Sequence, residues 1–422
     1  MRFVLAFVSI LLLAGFALAE LPLLSDVVTL DMNLRPRYEV DGRDFNSDTG
    51  MSDYGTMRTM VGINVMPNEN LLIRVKFKES RHLGTQLSNN RTTSSFDAQE
   101  AYFKLKNVFD RPIMVKAGRF EYKLGRNRIF GPGGWNIYGP RSYDGMKVHF
   151  DTIMGDWSLL LAKVTDYDAA HVNLANNVYG TANQSSKSDR NLIVLSGKLF
   201  EDHFQPLFSA DMNNNEPATQ EDADILYTAG FFYKRMLGDN FKFMMDGAYQ
   251  FGKKADRDVA SYLVAADVYY MLGGEKNWYI GAGADMTSGN KWDEDSPVDD
   301  DNVFYAPFMS RHVYRGYMDY FQDVRRGMID AIFHVGFKPE NGVSVMVDVH
   351  SFMFANDAAY VDTNGQVVEY TQVGQEIDVR SIIPVNENVN LDCGASAFMP
   401  TDDWVMDGDM ALWFYLAAVV SF

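Results

Sequence analysis

The chain has one cysteine, Cys393, in 422 residues. A single cysteine excludes an intramolecular disulfide and argues against a zinc–thiolate centre. It falls in a strand-like stretch, where it reads as a small apolar filler. Beyond residue 18 there is no apolar run long enough to cross a bilayer as a helix. No Pro/Gly/Ser-rich linker or shift in composition divides the chain into domains. Also missing are a nucleophile–base arrangement, a phosphate-binding loop and a basic patch suited to nucleic acid. No cofactor is implied. Positive charge is in deficit, and the formal net charge is -18.

What is present begins at the N-terminus. Arg2 is followed by apolar residues up to Leu18, and Ala17-Leu18-Ala19 supplies small residues for a cleavage site. This is the pattern of a secretory signal peptide over residues 1–19, with the mature chain over 20–422. An exported chain without a second spanning helix is either soluble or a β-barrel. In lipid every backbone polar group must be paired within the protein, and only helices and closed barrels achieve that.

The mature chain alternates. Thr29, Asp31, Asn33, Arg35, Arg37 and Glu39 share one face of a strand, and Leu30, Met32, Leu34, Pro36 and Tyr38 share the other. Asp246, Ala248 and Gln250 alternate with Met245, Gly247, Tyr249 and Phe251. Asp330, Ile332, His334 and Gly336 alternate with Ile329, Ala331, Phe333 and Val335. Glu376, Asp378 and Arg380 alternate with Gln375, Ile377 and Val379. Charged residues on one face of strand after strand suit a wet lumen, with lipid on the other side.

Connections alternate in length as well. Short turns are expected at 67–70, 107–112, 151–156, 201–206, 236–240, 272–277, 338–342 and 384–389. Longer polar loops are expected at 41–57, 80–95, 123–141, 166–189, 213–224, 252–259, 287–326, 354–372 and 400–409. Short periplasmic turns alternating with long outer loops is the outer-membrane layout. The fold class is therefore all-β, a transmembrane antiparallel β-barrel of about 18 strands. The segments 157–165 and 192–199 fit the alternation poorly. Leu412, Phe414, Leu416, Ala418, Val420 and Phe422 form an apolar row with a terminal aromatic, resembling the signal read by the bacterial barrel-assembly machinery.

Charge is unevenly distributed. Residues 31–150 carry nineteen Lys/Arg against thirteen Asp/Glu, whereas the rest of the mature chain carries eighteen against forty-three. The basic residues fall on the polar faces of the first five strands. Arg35 and Arg37 lie on the first, and Arg58 shares a face with Gly62 and Asn64 on the second. Arg74 and Lys76 lie on the third, Lys104 on the fourth and Lys116 on the fifth. On antiparallel neighbours these make a basic wall that eases the passage of anions, and a planar guanidinium matches a carboxylate. The alternative is that they pair with Asp31, Glu39 and Glu100 and knit the wall.

Residues 115–150 contain Gly118-Arg119, Gly125-Arg126, Arg128, Trp135, Gly139-Pro140-Arg141 and Tyr143-Asp144-Gly145. Glycine and proline forbid a straight strand over 125–140, so this reads as a loop able to fold into the barrel. The stretch resembles the alginate export family of outer-membrane porins. Members carry a Gly-Arg, a Gly-rich loop with Trp, and then Arg-x-(Phe/Tyr)-Asp-Gly. The block FYAPFMSRHVYRGYMDYF at 304–321, Asp348-Val349-His350-Ser351-Phe352 and GQEIDV at 374–379 stand in the family's order. The resemblance implies an eighteen-stranded barrel with an arginine-rich pathway for an anionic polysaccharide. By motif position it makes Arg119, Arg126, Arg128 and Arg141 pathway residues. The chain departs from that pattern in its strong acidity beyond residue 150.

The expectation is a monomeric barrel in the outer-membrane lipid, passing anionic solutes or acidic oligosaccharides or polysaccharides without an energy source. Periplasmic secretion partners would serve an export role. The rivals are a cation or general-solute porin, suggested by the acidic excess, an outer-membrane enzyme and a barrel plugged by its loops. The acidic stretch WDEDSPVDDDN at 292–302 offers oxygen ligands for calcium but lacks EF-hand spacing, and reads as a solvated loop. His334 and His350 read as hydrogen-bonded members of the wall.

Overall fold

The computed structural model describes residues 27–84, 94–135, 139–167, 188–213, 224–254, 257–273, 277–291, 300–321, 324–339, 342–361 and 366–422. The expected signal peptide at 1–19 and residues 292–299 of the acidic stretch lie outside them. The first strands are β1 (Val28–Gly42), β2 (Ser52–Asn68), β3 (Leu71–His82), β4 (Ser94–Leu105), β5 (Ile113–Glu121) and β6 (Ser142–Thr152). Next come β7 (Gly155–Tyr167), β8 (Ser188–Lys198), β9 (Phe204–Asn213), β10 (Asp224–Leu237), β11 (Phe241–Lys254), β12 (Arg257–Gly273) and β13 (Trp278–Thr287). After a two-residue strand, β14 (Asp300–Asp301), the chain completes β15 (Met328–Phe337), β16 (Ser344–Val361), β17 (Val367–Pro384), β18 (Val389–Pro400) and β19 (Ala411–Ser421).

Each long strand pairs antiparallel with its sequence neighbour, β13 passes to β15, and β1 pairs with β19 from Asn33↔Ser421 to Gly42↔Leu412. Eighteen strands thus close into a barrel without an edge, and β14 is an inset paired parallel to the start of β12. The eight short connections share one rim with the start of β1 and the end of β19. In an outer-membrane barrel this is the periplasmic rim.

The period of two is visible in burial. On β17 Glu376 and Asp378 are 0% and 2% exposed, whereas Ile377 and Val379 between them are 38% and 37%. Val61, Ile73, Phe77, Val264, Phe333 and Phe414 belong to the same outward apolar set. In this barrel the hydrophobic face is the outside, and polar residues fill the interior. Cys393 stands on β18, half-buried, its thiol directed to the Ser381 carbonyl.

One sequence expectation changes, and two local features of the strands stand out. The connections expected at 252–259 and 354–372 are shorter, because strand pairing continues to Lys254↔Arg257 and, past a bulge, to Val361↔Val367. The segments 157–165 and 192–199 are strands despite weak alternation. Their inward Leu160, Ala162, Leu192 and Val194 pack with Phe130 and Phe308 of two inward loops, so both faces are apolar there. On β4 a bulge between Lys76↔Glu100 and Phe77↔Ala98 leaves Gln99 without a partner across the ladder and turns it inward, 1% exposed.

The outward band gives a direct test. Val264→Arg should lower the unfolding free energy in a bilayer by about 2–4 kcal/mol, measured by urea titration of the lipid-reconstituted protein. A cost near zero would mean that this face does not meet lipid.

Candidate functional site

Two long connections enter the lumen and touch each other: residues 122–141 between β5 and β6, and residues 302–321 between β13 and β15. The Gly131 amide donates to the Phe308 carbonyl at 2.7 Å, and the Ser310 amide donates to the Asn127 carbonyl at 3.0 Å. Phe130 stacks on Phe308 at 5.6 Å. Trp135 stacks on His312 at 4.1 Å, and His312 on Tyr317 at 4.6 Å. Burial pushes the Tyr314 hydroxyl up to about 12, so it stays protonated and donates to the Arg126 carbonyl.

The wall of the first two strands holds one side of this pair. Arg35 donates to the carbonyls of Gly134 at 3.1 Å and Trp135 at 2.8 Å. Arg37 donates to Trp135 at 2.7 Å, and Arg58 to Gly134 at 2.7 Å. Arg37 also pairs with Glu39 at 2.6 Å, and its guanidinium lies over the Trp135 ring at 4.8 Å. Gln99, turned inward by its bulge, donates to Pro140 at 2.8 Å and to Ser142 at 2.9 Å, fixing the loop's exit.

The opposite wall takes the loop's own arginines. Arg126 donates to Asp246 at 2.7 Å and also pairs with Asp267. Arg128 donates to Asp246 at 3.1 Å, lies 3.8 Å from Asp267 and pairs with Asp285. The three aspartates stand on the lumenal faces of β11, β12 and β13. Burial alone would pull the Arg126 guanidinium down. The charges of Asp246 and Asp267 instead hold it above the usual arginine value. Arg128 is 2% exposed, and an arginine so buried is stable only when paired.

The second loop is latched to β17. The Met318 amide donates to Glu376 at 2.8 Å and the Tyr317 amide to Asp378 at 3.2 Å. Gly316 precedes them at φ +74°, and a Cβ there would collide with the Glu376 carboxylate. Only glycine combines that backbone with that approach. Beside the latch, His350 meets Asp330 at 2.8 Å and His334 meets Asp348 at 2.7 Å. The two histidines are members of the wall's hydrogen-bond network, as the sequence suggests.

Cavities of about 530 and 540 Å³ share six lining residues: Gly133, Gly134, Trp135, His312, Val313 and Tyr314. These six form the lip where the loops narrow the lumen. The first cavity extends toward the periplasmic rim, where Asn33, Tyr279 and Met346 line it. The second is lined wholly by the two loops.

The sequence-derived basic residues separate into groups. Arg35, Arg58, Arg126 and Arg128 line the inner cavity, Arg141 lines the outer one, and Arg37 reaches the lip through Trp135. Arg74 binds Asp31 at 2.6 Å and Glu100 at 2.7 Å, and Lys76 lies 3.8 Å from Glu100. Lys104 stands opposite Lys116, whose ammonium lies 3.8 Å over the Tyr102 ring. Arg119 pairs with Asp97 at 3.3 Å and Asp144 at 3.1 Å. None of these last five lines either cavity, and Arg74 and Lys76 knit the wall. Sequence reasoning missed Gln99, Asp267, Arg380 and the Glu376/Asp378 latch. Asp267 and Arg380 carry only the signal of an inward position on a strand, Glu376 and Asp378 also fall in the GQEIDV block, and Gln99 is turned inward by a bulge that alternation does not foretell.

Removing the wall's grip should loosen the lip. With Arg35→Ala and Arg58→Ala together, amide hydrogen exchange in residues 124–135 should accelerate about tenfold or more while β11–β13 stay protected. Unchanged exchange would show that these arginines do not hold the loop.

Three solved structures share the fold. They are OccD3 (OpdP) of Pseudomonas aeruginosa, at 12% identity and TM-score 0.59 over 96% of this chain and 93% of that one; OccK9 (OpdG) of the same organism, at 11% and 0.60 over 94% and 98%; and OccAB3 of Acinetobacter baumannii, at 11% and 0.56 over 94% and 99%. Comparison with curated protein sequences gives no match. The family model described as alginate export matches residues 27–409. With that match and a closed eighteen-stranded barrel narrowed by two inward loops, the chain belongs to the alginate export family of outer-membrane channel proteins.

Proposed function

We propose that the channel is selective for anions, passing small organic acids or acidic oligosaccharides by passive diffusion along Arg35, Arg58, Arg126, Arg128 and Arg141. The observation that carries this reading is the sign of the lining. In a chain of net charge -18, the inner cavity presents five arginines (Arg35, Arg58, Arg126, Arg128 and Arg380) against three aspartates. The outer cavity presents Arg141 and Arg311 against Asp319. A third cavity, of about 410 Å³ beside the second loop, presents Arg190, Lys253, Lys254, Arg311 and Arg315 against Asp211 and Asp224. Cations outnumber carboxylates in all three. Fixed cations facing a narrow path raise the local anion concentration and lower the barrier to anion entry.

The acidic excess that favours a cation channel on sequence grounds has another role in this reading. Asp246, Asp267 and Asp285 are taken up by Arg126 and Arg128. Two loop arginines meet three wall aspartates, so most of the acidic charge there is taken up, and Arg35 and Arg58 add positive charge at the lip. The monomer and any periplasmic secretion partner remain part of the proposal, as does the inclusion of Arg37, Arg74, Lys76, Lys104, Lys116 and Arg119 in a wider basic approach.

Single-channel recording in a KCl gradient tests the reading. The wild-type reversal potential should favour chloride. Arg126→Gln with Arg128→Gln should move it toward potassium, because the three aspartates are uncovered. A wild-type channel that prefers potassium would overturn the proposal.

A further inference from the structure

The inner cavity contains an arrangement that charge alone does not require. Tyr269 on β12 stands directly opposite Gly281 on β13, and Tyr279 on β13 stands directly opposite Gly336 on β15. A Cβ at Gly281 would lie 2.7 Å from Tyr269 Cδ1, and one at Gly336 would collide with the Tyr279 hydroxyl. The glycines therefore leave bare backbone beside the two phenol rings, which meet edge to face at 5.8 Å and 67°. The His334 ring stacks on Tyr269 at 5.1 Å and 29°, completing a cluster of three rings.

We infer that this aromatic cluster is a binding site for a carboxylate borne on a planar apolar ring. The inference rests on the anion-selective reading above and narrows its substrate class. Three observations carry it. The ring faces supply stacking surface, which aromatic groups prefer in offset or edge-to-face contact. The guanidinium groups of Arg35 and Arg58 line the same cavity, and a guanidinium matches a carboxylate fork. Met244, Ile332 and Met346 line the cavity too, beside Asp267, Asp348 and His350. An apolar ring is satisfied by the thioether and alkyl groups, which themselves offer a sugar's hydroxyls no partner. The volume, about 530 Å³, is in the range of sites for small organic molecules.

Gly336 is here a positioning residue and Tyr279 a contact residue. The test is concentration-dependent interruption of single-channel chloride current by benzoate, with glucuronate as the hydroxylated carboxylate of similar ring size. For the wild type, benzoate should half-block at a concentration about five- to tenfold below that of glucuronate. Tyr279→Leu, which keeps an apolar side chain and loses the ring, should bring the two within about twofold while the reversal potential still favours chloride. Gly336→Val, which displaces the ring, should do the same. Folding of both variants is checked by heat-modifiable migration on gels, and Tyr279→Leu alone decides should Gly336→Val fail to fold. Equal or tighter block by glucuronate, or an unchanged ratio in Tyr279→Leu, overturns the inference and leaves anion selectivity standing. A wild-type reversal potential favouring potassium is the separate failure of the underlying reading.

Discussion

The interior depends on one buried ion network. Arg126 and Arg128 come from a loop, whereas Asp246, Asp267 and Asp285 come from three successive strands of the far wall. Each group alone would be expensive to bury: an uncompensated charge in such a site costs several kcal/mol. Together they fix where the loop lies. The loop cannot swing out toward solvent without stripping the aspartates of their partners, and the wall cannot tolerate the aspartates without the loop. The remaining anchors refine that position. Arg35, Arg37 and Arg58 hold carbonyls at the tip, Gln99 holds the exit, and the Trp135–His312–Tyr317 stack joins the first loop to the second.

The same network accounts for the unusual charge distribution of the chain. A basic N-terminal third and an acidic remainder look contradictory for a pore lined by one sign of charge. In the folded barrel the loop carries two arginines across the lumen to the acidic wall, so part of the imbalance is resolved internally. Arg190 with Asp211 and Arg380 with Asp392 repeat the pattern between neighbouring strands. Burial of carboxylates such as Asp330 and Glu376, at 1% and 0% exposure, is tolerated because His350 and the Met318 amide meet them.

The barrel was legible because strand geometry is local. Inside-outside alternation repeats every two residues, and a turn needs only a few polar residues, so eight turns and eighteen strands can be read along the chain. Alternation was obscured where the interior itself is apolar, at Leu160, Leu192 and Val194 beneath the inward loops. The candidate site was legible only in part. That Arg35, Arg37 and Arg58 face inward follows from their spacing, and the glycine-rich composition of 125–140 marks an inward loop. Their partners are another matter. Arg126 meets Asp267 across 141 residues and Arg128 meets Asp285 across 157, distances at which a single sequence holds no pairing signal. The Tyr–Gly pairs are hidden for a related reason, since Tyr279 and Gly336 become neighbours only when β15 docks on β13.

The central claim is therefore that loop and wall are held by mutual charge compensation, and the pair Arg128–Asp285 isolates it. A double-mutant cycle with Arg128→Met and Asp285→Asn, read by urea unfolding of the bilayer-reconstituted barrel, measures their coupling. Each single variant should be strongly destabilised, the double variant should recover much of the loss, and the coupling should be about 2 kcal/mol or more. Effects that add to within about 0.5 kcal/mol would contradict the account, because two charges that do not sense each other cannot be what holds the loop in place.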